Sequence, residues 1–201
     1  MYDEELNVLC EGDFSSVDKN GQMRHDAFCC SKCLKRFFDD DKDLHRSAKI
    51  HYGKCNFKLQ EGVTVFMREH MLDKKNRQII DLLGFISKKE QKIDFQVTHH
   101  KFIKENNMTV FIYVSDGKPF GLLTTEVKML TFPNGDKKEC LSLSDFVVLR
   151  YAQRHGFGKI LFEYMLKYYN KKPDELVYNR PSHKFQQFLK KYYGLENMLV
   201  W

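Results

Sequence analysis

The feature that most constrains this chain is Gln153-Arg154-His155-Gly156-Phe157-Gly158-Lys159, a glycine-rich stretch between two apolar runs. Asp145-Phe146-Val147-Val148-Leu149 precedes it, and Ile160-Leu161-Phe162-Glu163-Tyr164-Met165-Leu166 follows with helical spacing. That order predicts strand, tight turn, helix. Glycines at such a turn let backbone N–H groups approach an anion, and the helix N-terminus adds partial positive charge. The stretch is therefore a candidate pyrophosphate cradle, with Arg154 and Lys159 adding charge. An ordinary strand-to-helix turn fits the glycine spacing equally well.

Length and charge narrow the setting. The 201 residues allow one α/β domain with a small appendage. No apolar stretch is long enough to span a bilayer, and Met1-Tyr2-Asp3-Glu4-Glu5 lacks a signal-peptide core, which predicts an intracellular protein. A net charge of +6 suits an acidic ligand or partner surface. No basic run is interleaved with aromatics, so there is no strong nucleic-acid signature.

Five of the six cysteines fall in the first 55 residues. Cys30 and Cys33 form a Cys-x-x-Cys knuckle, and His51 with Cys55 completes a tetrahedral set of the zinc type. Cys30, Cys33, His45 and His51 form an alternative set closer to two-cysteine, two-histidine spacing. Phe37, Phe38 and Leu44 would supply the small core of such a module over residues 28–57. A reduced, metal-free cysteine cluster is the competing reading. The chain thus divides into 1–58, carrying the zinc module, and 59–201.

Within 59–201, Val63, Val65 and Met67 alternate as a first strand, and residues 76–87 have helical spacing. Residues 88–106 are polar and predict a substrate-side loop in which His99 and His100 are solvated. Two strands, 108–114 and 119–130, flank the turn Ser115-Asp116-Gly117-Lys118. A second turn at 133–136 leads to a long strand over 140–149. Then come a strand at 175–178, a helix over 183–193 stopped by Gly194, and a closing strand over 195–201. Residues 1–27 allow a small hairpin about Lys19-Asn20-Gly21.

Gln153-Arg154-x-Gly156-x-Gly158 after a strand resembles the acetyl-CoA loop of the GNAT acetyltransferases. Within that superfamily, Asp145-Phe146, residues 153–158, residues 161–166, Asn179-Arg180-Pro181-Ser182-His183-Lys184 and residues 188–196 look like the α-tubulin N-acetyltransferases. The resemblance implies the GNAT fold, an α/β architecture with a mixed sheet, here with an N-terminal zinc finger. It implies a lysine acetyltransferase that uses acetyl-CoA and acts on α-tubulin of cytoplasmic microtubules. Phe146, Val147 and Val148 would bind the pantetheine and thioester. Gln153, Arg154, His155, Gly156, Phe157, Gly158 and Lys159 would hold the pyrophosphate, and Ser182 and Lys184 the adenosine end. Gln91 falls on the family's substrate-site glutamine.

The family's cysteine and aspartate fall on Ser142 and Asn179, neither an effective base at neutral pH. Cys140, on the same strand face as Ser142, is a candidate replacement, with Asp145 and Glu139 next. The 28–57 module is similar to the zinc finger of MYST-type histone acetyltransferases, and the cohesin acetyltransferases also carry a finger ahead of a GNAT domain. A nuclear, histone-directed enzyme and an acetyl-CoA-binding pseudoenzyme are accordingly the alternatives.

Overall fold

A computed structural model describes residues 59–200 and, as backbone only, three short strands before them. The chain resolves into two compact units, one of Met1–Leu59 with Asp116–Lys118 and one of Gln60–Ser115 with Pro119–Trp201. In the first unit, β1 (Ser15–Val17), β2 (Met23–Cys29) and β3 (Arg36–Phe38) form an antiparallel sheet in that order. The hairpin expected in the first 27 residues is thus present as β1–β2. Cys30, Cys33, His45, His51 and Cys55 lie outside the described residues.

The second unit is a six-stranded sheet in the order β4-β5-β6-β7-β8-β9. Its strands are β4 (Gly62–Phe66), β5 (Thr109–Ser115), β6 (Lys118–Thr131), β7 (Lys137–Val148), β8 (Val177–Tyr178) and β9 (Leu199–Val200). β4 pairs β5, and β6 pairs β7, antiparallel, whereas β8 joins β7 and β9 joins β8 in parallel. A crossover is obligatory between parallel neighbours. Two helices supply it: α3 (Phe157–Tyr169) between β7 and β8, and α4 (His183–Tyr193) between β8 and β9.

Two-residue turn chemistry sets the β5–β6 register. Asp116 and Gly117 both have positive φ, +52° and +69°, as the primed hairpin turns require. Asp73 caps α1 (Lys74–Gln91) by accepting from the N–H groups of Lys75 and Asn76. The helix runs four residues past the predicted end because Lys88, Lys89, Glu90 and Gln91 are good helix formers whose polarity hides the periodicity. A short helix, α2 (His100–Glu105), also replaces part of the expected 88–106 loop.

One face of the sheet carries Phe111, Leu123, Leu141 and Leu143 against Leu161, Phe162 and Met165 of α3 and Phe185 and Leu189 of α4. Phe146 joins this side, its ring centroid 4.8 Å from that of Phe185. The opposite face turns Cys140, Ser142 and Asp145 of β7 toward α1, whose Ser87 and Gln91 both reach Asp145. Burying both faces makes β7 the centre of the unit.

Candidate active site

β7 and β8 separate where the sequence reading expects a carrier to enter. Their parallel pairing covers only Ser142 with Val177 and Leu143 with Tyr178, closed by a 3.0 Å bond from the Asn179 N–H to Leu143 O. Beyond it a cleft opens, lined by Gln91, Ser144, Asp145, Phe146, Asn179 and Ser182 among others. A bulge sits at its mouth: Thr125 pairs with Leu143 but Thr124 with Asp145, leaving Ser144 as the extra residue. Leu149 donates to Phe120 O on the β6 side. Strand alternation therefore turns the backbone groups of Phe146 and Val148 to the cleft side.

The far end of the cleft is the glycine turn. Gly156 holds φ +84° at the position before α3, and Arg154 is also left-handed at +68°. Gly158 packs closely: a Cβ there would lie 3.2 Å from Val148 Cγ2 and 3.3 Å from Phe146 Cζ, side chains that would have to give by a few tenths of an ångström. The first N–H groups of α3 have no intrahelical acceptor and face outward at the turn. Gln153 has a local role as well, its Nε2 donating to Val148 O at 2.9 Å. Ser182 caps α4 by accepting from Phe185 N–H, and Lys184 is exposed on that helix's first turn. These donors and cations suit a phosphorylated carrier.

Asp145 is the carboxyl at the centre of the site. It is buried, and no Lys or Arg partner accompanies it among the described hydrogen bonds. Its Oδ1 accepts from Ser87 Oγ at 2.6 Å and Gln91 Nε2 at 2.7 Å, and its Oδ2 accepts from Thr98 Oγ1 at 2.7 Å. Because Thr98 gives its proton to Asp145, Thr124 must be the donor in the 2.9 Å Thr98–Thr124 contact. Burial pushes the Asp145 carboxyl above its ordinary value, against the pull of Ser87, Thr98, Gln91 and the Phe146 N–H. The same bonds fix Gln91 at the cleft wall.

The raised pKa sets a sign. Asp145 binds its proton more tightly folded than unfolded, so its contribution is fully present below the unfolded value and is lost as pH rises through the folded one. Asn at this position carries two donor hydrogens into a nest of donors, costing about 1–3 kcal/mol for the partner left unsatisfied. Asp145→Asn is expected to destabilise the unit by that amount at mildly acidic pH, the deficit narrowing toward neutrality. Denaturant titrations across pH measure it.

The remaining candidates occupy distinct places. Ser142 is fully buried, and Asn179 lines the cleft. Cys140 is buried with Sγ 3.7 Å from Lys138 O, five residues along β7 from Asp145, roughly 16 Å at strand rise. Glu139 is exposed. His99 and His100 are only partly exposed and are held against an acid, where the sequence reading has them in a solvated loop. His100 Nδ1 lies 2.6 Å and His99 Nε2 3.7 Å from Asp81 Oδ2. Burial lowers the His99 pKa, Asp81 opposing it. Asp81 and the two histidines have the donor set of a metal site. His99 Nδ1, however, accepts from Lys101 N–H, which leaves its proton on the Nε2 that faces Asp81. The spacing of 18 residues between Asp81 and His99 gave no local signal.

A bulged central strand, a parallel neighbour splaying from it and a glycine turn into α3 define the fold of the GNAT class. Residues 41–200 match the family described as "GNAT acetyltransferase, Mec-17", and the chain belongs to it. It is 39% identical over 124 residues to alpha-tubulin N-acetyltransferase 2 of Trypanosoma cruzi, covering 59% of this chain and 38% of that protein. It is 32% identical over 128 residues to the alpha-tubulin N-acetyltransferase of Plasmodium vivax, covering 62% and 69%. The fold is shared with the xEco2 acetyltransferase domain, at a TM-score of 0.55 and 12% identity over 72% of this chain and 92% of that one. The chain thus spans well under half the length of the trypanosomal relative.

Proposed function

We propose that this chain transfers the acetyl group of acetyl-CoA to a lysine side chain of α-tubulin. The observation that carries the reading is the β7–β8 cleft running onto the Gly156–Gly158 turn in a chain of the Mec-17 family. Phe146 and Val148 would hold the pantetheine through strand-like backbone bonds, and the turn with Arg154 and Lys159 the pyrophosphate. Ser182 and Lys184 would lie toward the adenosine. Gln91, braced by Asp145, would face the incoming lysine. The relatives' name, alpha-tubulin N-acetyltransferase, supports α-tubulin as the substrate, and a microtubule in the cytoplasm is the place of action that this substrate would imply. Among the described residues no helix is long and apolar enough to cross a membrane.

The test is transfer of labelled acetyl to purified α-tubulin, with histone peptides as the competing substrate. Labelled tubulin and unlabelled peptide are expected; transfer to neither, with acetyl-CoA bound, would leave a carrier-binding protein.

Cys30, Cys33, His51 and Cys55 are proposed to hold one structural zinc, with His45 the alternative fourth ligand. Metal analysis is expected to return about one zinc per chain, lost on Cys33→Ser together with the local fold, because small zinc modules depend on their metal.

A further inference from the structure

A lysine ammonium must lose a proton before it can attack a thioester, and its ordinary pKa of ~10.4 makes a base necessary near neutrality. Ser142 and Asn179 cannot serve. Asp145 already receives three side-chain donors and one backbone donor. The Cys140 thiol points at Lys138 O well along the strand, and Glu139 is exposed.

One carboxylate on the same face is unused. Glu126 of β6 pairs in register with Ser142, and its side chain is only 10% exposed. Its Oε1 accepts from Ser144 Oγ at 2.5 Å, and Lys128 Nζ lies 3.0 Å from the same oxygen. Ser144 is the bulge residue, and it lines the cleft. The bulge thus sits where the β7–β8 pairing ends, and it places an extra serine in the cleft wall, its hydroxyl held by Glu126. A short O–H···O⁻ bond of this kind is the strong, charge-assisted type.

Granted acetyl transfer to a lysine amine, we infer that Ser144 and Glu126 form the proton relay of this active site, Ser144 meeting the amine and Glu126 taking the proton. The substrate N–H bond breaks as a proton passes to Ser144 Oγ. The Ser144 O–H proton moves to Glu126 Oε1, leaving a neutral amine, an intact serine and a carboxylic acid. After attack, the C–S bond breaks and the C–N bond is kept. The second proton shed by nitrogen leaves with the thiolate as thiol, and Glu126 returns its proton to water. Lys128 steadies the carboxylate between turnovers. Other titratable groups on this face include Lys138 and Cys140 of β7, the latter opposite Lys128, and Asp145, turned to Ser87, Gln91 and Thr98.

The test uses the full chain with tubulin, comparing wild type, Glu126→Gln, Ser144→Ala and the double variant. Each single variant is expected to lose roughly 10²-fold or more in kcat/KM. Calorimetric acetyl-CoA affinity and the thermal midpoint should hold. The double variant should be no worse than either single one, because the two groups act as a unit. The deficit should shrink as pH is raised toward the lysine's own pKa, where solution supplies the free amine; a purely structural role would not give that profile. Should Glu126→Gln fail to fold, Ser144→Ala alone carries the same expectation. Full activity in both single variants, or a loss independent of pH, overturns the relay while leaving acetyl transfer intact. A wild type that binds acetyl-CoA but acetylates no lysine overturns the acetyl-transfer reading, and the relay with it.

Discussion

Gly84→Ala is expected to be among the most damaging single substitutions in this unit, although helix propensity alone says the opposite. Gly84 sits inside α1, where alanine would ordinarily gain about 1 kcal/mol. A Cβ at this position, however, would stand 1.8 Å from Thr98 O and 2.8 Å from Thr98 C. Those are backbone atoms and cannot swing aside. The segment is also tied down, since Gln96 Nε2 bonds both Thr98 O and Asp81 O, and His100 N–H bonds Asp81 Oδ1. Either α1 or residues 96–100 must move by more than an ångström, which puts the cost at the top of the usual overpacking range, about 3 kcal/mol. For a unit of this size the loss is roughly ten degrees in Tm. The displacement also carries Thr98 away from Asp145, so Gln91 loses its brace and activity should fall at temperatures where the fold survives. Thermal unfolding and the rate of tubulin acetylation measure the two effects; a rise in Tm would mean that propensity wins over the contact with Thr98.

What could be read from the sequence follows from how local each signal is. The Asp116-Gly117 turn, the Gly156–Gly158 turn and the Ser182 and Gly194 caps announce themselves within four residues, and β5, β6, α3 and α4 fall close to their expected places. β7 begins at Lys137, ahead of its apolar stretch, because the β6–β7 ribbon continues through residues that alternate without being buried. β9 shrinks to Leu199–Val200. α2 stayed hidden because six residues rich in Lys and His carry almost no apolar stripe, and its cap is His99 rather than a residue of the usual set. The site divides the same way. Its glycines and its strand aspartate lie in one contiguous motif. Thr98 reaches it from the loop before α2, and Thr124 and Glu126 from β6; the bulge at Ser144 is masked because Val147 and Val148 are both apolar, so the shift of the core side from Leu141 and Leu143 to Phe146 does not stand out.

Acidic replacement of either glycine at the turn is expected to abolish acetyl-CoA binding, by different routes that can be told apart. At Gly156 an added Cβ would meet no atom within 4 Å, so there is room; the obstacle is φ +84°, which costs a non-glycine residue about 1–2 kcal/mol. At Gly158 φ is ordinary for a helix, and the obstacle is close contact with Val148 Cγ2 and Phe146 Cζ, which would have to give by a few tenths of an ångström. Gly156→Ala should therefore weaken binding only modestly. Gly158→Ala should likewise weaken it modestly, through the adjustment that Val148 and Phe146 beside the turn must make. Gly156→Asp and Gly158→Asp add a carboxylate where the diphosphate would sit. Two like charges within about 4 Å repel by about 1–4 kcal/mol depending on solvent access. Steric and electrostatic terms together predict a loss of at least 100-fold in affinity for both acidic variants. Calorimetric titration with acetyl-CoA at two salt concentrations separates the terms: added salt should recover part of the loss in the Asp variants and none in Gly158→Ala. Unchanged affinity in Gly156→Asp would move the phosphates off this turn.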